Sequence, residues 1–161
     1  MKQITRIRVA RGEGRFAAAH FLVNMGKCER LHGHNYQVTV ELAGAPGPDG
    51  AVVDFNRLNP MVAALCGTLD HKILIAQGET RHELTIGETE IEARFKGKRY
   101  LFPREDCLLL PIANSTVESL SAWLLDNLAC GLAGEGAALD WIEVGVSEGE
   151  NQMAITRREL S

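Results

Sequence analysis

A chain of 161 residues fits one domain, residues 1–161, and its apolar fraction of 45% and charged fraction of 24% are ordinary for a globular protein. The formal net charge of −4, with scattered lysine and arginine, argues against nucleic acid as a partner. No apolar run approaches the roughly 20 residues of a membrane helix, and the N-terminus lacks a signal-peptide core, so we expect a cytoplasmic protein with no membrane partner.

The first half of the chain predicts two long strands followed by a helix. Alternating polar and apolar residues predict a strand over residues 3–22, bulged near its glycines, and a second strand over residues 34–43. Residues 46–50, rich in proline and glycine, end the second strand. Asp54 is the predicted N-cap of a helix that continues to about Cys66.

The second half of the chain predicts short strands and a closing strand pair. Residues 82–110 alternate well enough for short strands, with a hairpin over 90–102 that turns at Gly97. Residues 139–147 and 152–159 predict an antiparallel pair.

A second helix is predicted over residues 116–128, with Ser115 and Glu118 forming a capping box at its start. The element order predicts an α+β fold, a four-stranded antiparallel sheet with two helices on one face. Such a sheet keeps two unpaired edges, so we expect a ring-shaped homo-oligomer in which subunits join edge to edge.

Three histidines, His20, His32 and His34, have the spacing of a metal site on neighbouring strands. Side chains two residues apart on a strand share a face, so the last two can bind one ion while the first arrives from the preceding strand. Three neutral imidazoles without a fourth protein ligand are typical of catalytic zinc, because one position stays open for water or substrate. His82, in a polar stretch, is interpreted as an ordinary surface or core imidazole.

Cys28 differs from the other cysteines because it lies in a polar loop near Lys27 and Arg30. Cationic neighbours make a thiol useful as an acid or base near neutral pH. The remaining cysteines lie in apolar helical or strand sequence and are expected to be packed free thiols. These are Cys66, Cys107 and Cys130.

Asp70 and His71 suggest a second proton-transfer group, since a carboxylate beside a histidine orients the ring and raises its basicity. Two proton-transfer groups beside a Lewis acid indicate proton abstraction next to a carbonyl, or elimination. Glu148, near the end of a predicted strand, is by itself only a solvated surface acid.

Six segments of the chain resemble those of one enzyme family and occur in the family's order. They are Phe16–His20, Cys28–Tyr36, Val53–Phe55, Leu69–His71, Asn114–Glu118 and Val146–Glu148. On these segments the chain resembles the 6-pyruvoyltetrahydropterin synthase / 6-carboxytetrahydropterin synthase family of pterin enzymes. The resemblance covers nearly the whole chain apart from residues 76–110, which are longer than in compact bacterial members.

The resemblance implies the tunnelling fold, in which trimers stack into a hexameric barrel with active sites between subunits. It implies that the three histidines bind zinc. It also implies that Cys28 is a catalytic acid or base, with Asp70 and His71 as the relay.

The resemblance further implies 7,8-dihydroneopterin triphosphate as substrate. Glu148 would anchor the pterin through two parallel hydrogen bonds, and Thr116 and Glu118 would line the pocket. The family's usual neighbours of this anchor are replaced here by Ser147 and Gly149. Cations that could meet the triphosphate are Lys27, Arg30 and Lys72.

Two family reactions compete on the sequence. The spacing from Cys28 to His32 resembles 6-carboxytetrahydropterin synthases, which release acetaldehyde and triphosphate on the route to queuosine-type deazaguanines. Glu29 instead resembles members that cleave the side chain to a 6-hydroxymethyl pterin for folate synthesis, unless it only balances Lys27 and Arg30. We favour the carboxytetrahydropterin reaction, with the 6-pyruvoyl product as a third alternative.

An interpretation of another class is a non-enzymatic zinc-binding scaffold, in which Cys28 closes the site as a fourth ligand. Glu148 and the Asp70-His71 pair argue against it, because neither is needed to hold a metal.

Overall fold

The computed structural model describes residues 4–133 and 138–160, so the predicted start of the first strand at residue 3 lies outside the described residues. The strands and helices in chain order are β1 (Thr5–His20), β2 (His32–Gly44), α1 (Phe55–Leu69), β3 (Lys72–Ala76), β4 (Glu83–Ile86), β5 (Glu90–Phe95), β6 (Lys98–Pro103), β7 (Cys107–Leu110), α2 (Val117–Ala133), β8 (Leu139–Gly149) and β9 (Gln152–Glu159). Short 3-10 helices cover Gly26–Glu29 and Arg104–Asp106.

The main sheet has six strands in the order β7-β3-β1-β2-β8-β9. Its antiparallel part, β1, β2, β8 and β9, confirms the four predicted long strands. The predicted bulge is confirmed as a register shift between Ala10 and Arg15, where Gly12 has a φ of 79°. Two short parallel strands, β3 and β7, extend the sheet beyond the prediction.

Both helices pack on one face of the main sheet, which confirms the predicted α+β arrangement. Asp54 caps α1 as predicted, since its side chain accepts a hydrogen bond from the Asn56 amide at 2.8 Å. Alternate side chains of β2 from Tyr36 to Leu42 are fully buried against the helices. No helix in the described ranges has the length and apolar character needed to span a bilayer.

The predicted capping box at the start of α2 is wrong by one residue. The buried Ser115 hydroxyl donates to the Phe21 carbonyl at 3.3 Å and does not cap the helix. Thr116 takes the capping position, because its hydroxyl accepts from the Ser119 amide at 3.3 Å. Packing of Ser115 against the end of β1 therefore delays the helix start.

Strands β4, β5 and β6 form a separate antiparallel sheet, the insertion sheet. The predicted hairpin is confirmed, with a two-residue turn at Lys96 and Gly97. Both turn residues have positive φ, 47° and 74°, as a tight hairpin requires. A second apolar core docks the insertion sheet on the segment after β1, through Phe21 and Val23.

All four cysteines are free thiols. Cys66 is buried as predicted, and Cys107 is half-buried, with its thiol donating to the Pro103 carbonyl at 3.3 Å. The prediction for Cys130 is wrong, because this thiol is exposed. It follows Leu128 by two residues, which places it away from the buried stripe of α2.

Candidate active site

The end of β1 and the start of β2 bring three imidazoles together, which we call the histidine cluster (His20, His32 and His34). Antiparallel register places His20 opposite His32, and Ala18 opposite His34. The metal-binding atoms offered by the three rings all lie within 4.8 Å of one another, so the cluster could hold a metal ion. The predicted strand geometry is therefore confirmed for all three residues.

Two backbone carbonyls fix the tautomers of the cluster. His20 Nδ1 lies 2.8 Å from the Ser115 carbonyl, and His32 Nδ1 lies 2.7 Å from the Arg30 carbonyl. Because a carbonyl only accepts, each Nδ1 must donate, and each Nε2 of the neutral ring keeps its lone pair. Such outer hydrogen bonds are typical of histidines that bind metal through the other nitrogen.

Burial keeps His20 uncharged. Loss of solvation lowers the pKa of His20 to about 4, against an opposing effect of the Ser115 carbonyl, and His32 and His34 lower it further. At neutral pH the ring is therefore neutral, the form in which an imidazole can bind a metal ion.

The nitrogen positions fit a small tetrahedral cation. His20 Nε2 and His32 Nε2 lie 3.2 Å apart. Two nitrogens bound at about 2.0–2.1 Å to a tetrahedral zinc would lie about 3.3 Å apart. Two facing lone pairs at this distance repel unless a cation lies between them, so the donor set and its geometry both favour a metal ion.

Tyr36 and Ser115 belong to this site although the sequence did not indicate them. The Tyr36 hydroxyl lies 3.4 Å from both ring nitrogens of His20, and its ring stacks on Phe16 at 4.6 Å. Burial, with a further effect of Glu148, raises the pKa of Tyr36. Its spacing of two residues from His34 was a usable signal, whereas the Ser115 carbonyl is a backbone group that no motif reveals.

Glu148 lies beside the cluster at the end of β8. Its Oε2 atom is 3.9 Å from His34 Nε2, and the Glu148 side chain is 25% exposed. Both residues line a cavity of about 1070 Å³, together with Gln37 and Glu150. The structure thus places a carboxylate next to the histidine cluster, in the lining of one cavity.

Asp70 and His71 form a hydrogen-bonded pair between α1 and β3. Asp70 accepts from the Ala17 amide at 2.7 Å and from His71 Nδ1 at 2.8 Å, and these two bonds lower the pKa of Asp70. His71 has a φ of 56°, an uncommon conformation outside glycine, and its side chain is 83% exposed. It lines a cavity of about 550 Å³ that also contains His34 and Lys72.

Cys28 lies half-buried on the 3-10 helix, and its carbonyl accepts from the Leu22 amide at 2.9 Å. Within residues 4–133 and 138–160 no hydrogen bond joins Cys28 to the Asp70-His71 pair. Thr116 follows the carbonyl that orients His20, whereas Glu118 is exposed in the first turn of α2.

Glu29 does not balance its neighbours Lys27 and Arg30, which are both exposed. Its carboxylate is paired with Lys96 at 2.7 Å and Lys98 at 3.3 Å. These two partners, Lys96 first, lower the pKa of Glu29, while its burial opposes them. The alternative interpretation of Glu29 as a balance for Lys27 and Arg30 is therefore wrong, because its ion pairs are with cations of the insertion sheet.

Comparisons with known proteins agree with this site. Residues 10–159 match the family described as 6-pyruvoyl tetrahydropterin synthase. A Methanocaldococcus jannaschii protein, provisionally named 6-carboxy-5,6,7,8-tetrahydropterin synthase, is 32% identical over 148 residues, which cover 91% of each chain.

Solved structures give the same family. Plasmodium vivax 6-pyruvoyltetrahydropterin synthase is 30% identical, with a TM-score of 0.92 and coverage of 98% of this chain and 99% of the other. Another structure of that enzyme, 29% identical with the same TM-score and coverage, contains a variant in which a glutamate described as catalytic is replaced by alanine. Fold and motif resemblance are therefore confirmed, and this chain belongs to the 6-pyruvoyl tetrahydropterin synthase family, as an enzyme of the lyase class.

Proposed function

We propose that this chain is a zinc-dependent 6-carboxytetrahydropterin synthase. It would convert 7,8-dihydroneopterin triphosphate and water into 6-carboxy-5,6,7,8-tetrahydropterin, acetaldehyde and triphosphate. The observation that carries the proposal is a cluster of three imidazoles with an open side, beside a cavity that presents Glu148. The name of the Methanocaldococcus jannaschii relative supports the choice of reaction.

Zinc fits the histidine cluster because all three ligands are neutral nitrogens and no fourth protein ligand is present among the described residues. When bound, zinc supplies a Lewis acid that stabilises negative charge developing on a side-chain oxygen of the substrate. The carbonyls of Ser115 and Arg30 hold two of the rings in the tautomer that this role needs.

Glu148 would bind the pterin ring. An ionised carboxylate accepts two parallel hydrogen bonds, and the 2-amino group and ring N–H of a pterin offer two donors in that arrangement. Glu148 lines the same cavity as His34, so a pterin held by Glu148 would have its side chain next to the proposed metal site. Thr116 and Glu118 stay weaker candidates for the same pocket.

Proton transfer would be shared by Cys28 and the Asp70-His71 pair. His71 gives its Nδ1 proton to the hydrogen bond with Asp70 and so keeps a lone pair on Nε2 that can take a proton. The exposed ring lines the cavity that contains His34 and Lys72, and the Lys72 ammonium can meet the triphosphate there. Lys27 and Arg30 are further exposed cations for this anion.

The overall reaction needs no outside oxidant or reductant. The first side-chain carbon is oxidised to a carboxylate with one oxygen from water, while the pterin ring and the departing two-carbon fragment are reduced. The protein's task is therefore to move protons and to hold the substrate, which matches the groups present.

The second candidate is cleavage of the side chain to a 6-hydroxymethyl pterin, with Glu29 as the acid or base. The Plasmodium vivax structure with a glutamate described as catalytic supports a glutamate as a reacting group in this family. In this chain the Glu29 carboxylate is already paired with Lys96 and Lys98, so we place this reaction second.

We also propose a ring-shaped homo-oligomer, a trimer or a hexamer, of single-domain subunits in the cytoplasm. Strands β7 and β9 form the two outer edges of the main sheet, and β9 exposes Met153 and Ile155. Pairing of these edges between subunits would satisfy their backbone groups. The four free thiols suit a reducing compartment.

Purified protein loaded with zinc and given 7,8-dihydroneopterin triphosphate tests the proposal. Acetaldehyde and 6-carboxytetrahydropterin, found by chromatography and mass spectrometry, are the expected products. A 6-hydroxymethyl pterin would support the second candidate, and a 6-pyruvoyl pterin would support the third family reaction. Stoichiometric zinc without turnover would leave the scaffold interpretation.

A further inference from the structure

The insertion sheet reaches back to the loop that carries Cys28, through what we call the lysine clamp (Lys96, Lys98 and Tyr100 around Glu29). The two ammonium groups lie 2.7 and 3.3 Å from the two oxygens of the Glu29 carboxylate. The Tyr100 hydroxyl donates to the Glu29 carbonyl at 3.0 Å. Glu29 itself is only 8% exposed, so its charge is enclosed by these partners.

Aromatic packing fixes the lysine clamp in place. Phe21 follows the metal-site residue His20 directly and stacks on Phe95 at 5.5 Å and on Tyr100 at 4.9 Å. Lys98 lies 5.3 Å from the centre of the Phe95 ring, and the tight turn at Lys96 sets the direction of the second ammonium. The hairpin tip therefore packs against this loop, and the two share the second apolar core.

We infer that the lysine clamp determines the specificity of the reaction proposed above: it holds the Glu29 carboxylate out of proton transfer and leaves Cys28 as the acting group. The inference rests on the proposed function. Lys96, Lys98 and Tyr100 act through Glu29 and are positioning residues. Each of the two carboxylate oxygens has an ammonium partner, so a proton transfer by Glu29 would first have to break an ion pair.

The competing reaction shows what the clamp would suppress. In that cleavage the C2′ hydroxyl loses a proton and the C1′–C2′ bond breaks. Its electron pair passes to C1′ and the ring, C1′ takes up a proton, and the two-carbon fragment leaves as glycolaldehyde that keeps the triphosphate ester. A base must take the first proton, and a carboxylate neutralised by two lysines is a poor base.

The test removes the two cations and measures the ratio of two pterin products. We expect Lys96→Met/Lys98→Met to raise the ratio of 6-hydroxymethyl to 6-carboxy product by about tenfold or more. The pH profile of the 6-hydroxymethyl product should then report a freed carboxylate. Lys96→Arg/Lys98→Arg keeps both charges and should restore the wild-type ratio.

Two further variants separate specificity from loss of structure. Arg99→Gln removes a cation of the same hairpin that pairs with Glu92, and it should leave the ratio unchanged. Adding Glu29→Gln to the double Met variant should abolish the new product, because the freed carboxylate is then absent. Should the double variant fail to fold, Lys96→Met alone removes the shorter ion pair and should still move the ratio.

An unchanged ratio in the Met variants, with wild-type protein forming the 6-carboxy product, would overturn the inference alone. A new product that survives Glu29→Gln would also overturn it, since a loosened loop would then explain the change. If the wild type forms neither pterin, the proposed function fails and this inference fails with it.

Discussion

The histidine cluster flanks the loop of residues 21–31 and the lysine clamp contacts this loop at Glu29, yet the two are held in different ways. The cluster is set by the register of two paired strands and by two carbonyls that fix ring tautomers. The clamp is set by long cationic side chains that are 53% and 37% exposed at a hairpin tip. The first arrangement is rigid, because changing it means breaking the sheet.

The clamp can change without any change in fold. Ion pairs of partly exposed lysines contribute little to the free energy of unfolding, so side-chain substitution alters them at little cost in stability. A protein can therefore keep its metal site constant while the neighbouring acid or base is released or restrained. The difference predicts large, all-or-none effects at the cluster and smaller, graded effects at the clamp.

The largest effect is expected for His20→Ala, which would break the cluster at its most buried member. We expect zinc affinity to fall by more than the roughly 10–100-fold that loss of an outer hydrogen-bond partner costs, and turnover to be abolished. Metal content by mass spectrometry after dialysis checks this. His82→Leu is the matched control, since His82 is buried beside Phe21 outside the cluster. Full zinc content in His20→Ala would contradict the assignment.

The cluster could be predicted because its three histidines are close together in the sequence. Period-2 spacing placed His32 and His34 on one face, and a short loop returned them to His20. The clamp was not predictable, because Lys96 is 67 residues from Glu29 and its turn geometry says nothing of where the hairpin docks. The sequence did place the hairpin itself, through its turn at Gly97.

Residue types also gave no correct prediction where a backbone group or tertiary packing determines the structure. The Ser115 carbonyl that orients His20 comes from 95 residues away and could belong to any residue type. Cys130 lies on a helix with apolar residues on more than one side, so the buried stripe that excludes it could not be identified from the sequence alone. Packing also decides the cap of α2. The Ser115 hydroxyl is buried and bonded to the Phe21 carbonyl, so Thr116 caps the helix instead of the predicted Ser115.

The second-largest effect is expected for Cys28→Ala, which tests whether the thiol takes part in proton transfer or in metal binding. Turnover should fall by about 10²–10⁴-fold, the usual contribution of a positioned acid or base, while zinc content stays at wild-type level. Single-turnover kinetics with metal analysis checks both. Cys130→Ala, at the exposed thiol of α2, should change neither. Zinc loss in Cys28→Ala would instead show that the thiol is a ligand.

A smaller effect is expected for Glu148→Gln, which keeps the shape of the side chain and removes its charge. One acceptor becomes a donor facing a donor, so the Kd for a pterin should rise by about tenfold to a hundredfold. Titration calorimetry with zinc-loaded protein measures it. Glu150→Gln alters a carboxylate that lines the same cavity and should have little effect. Equal affinities of both variants would remove Glu148 from the pterin site.

The smallest effect is expected for Glu29→Gln, and it is a change in how the free energy of unfolding depends on pH. Lys96 and Lys98 hold the pKa of Glu29 below its ordinary value of 4.5, so the clamp stabilises the folded state when the carboxylate is ionised in both states. Wild type should be the more stable at neutral pH. Its advantage should shrink as pH falls below 4.5 and vanish once the folded carboxyl is protonated.

Denaturant unfolding of both proteins from pH 7 to pH 3 measures this difference. Glu88→Gln removes one negative charge at an exposed carboxylate without an ion pair in the described part of the chain, and so controls for the loss of charge in general. The same acid-dependent loss in both variants would mean that general charge, and not the clamp, sets it. A loss confined to Glu29→Gln shows that the two lysines act on this carboxylate in solution, because Glu88 has no cationic partner in the described part of the chain.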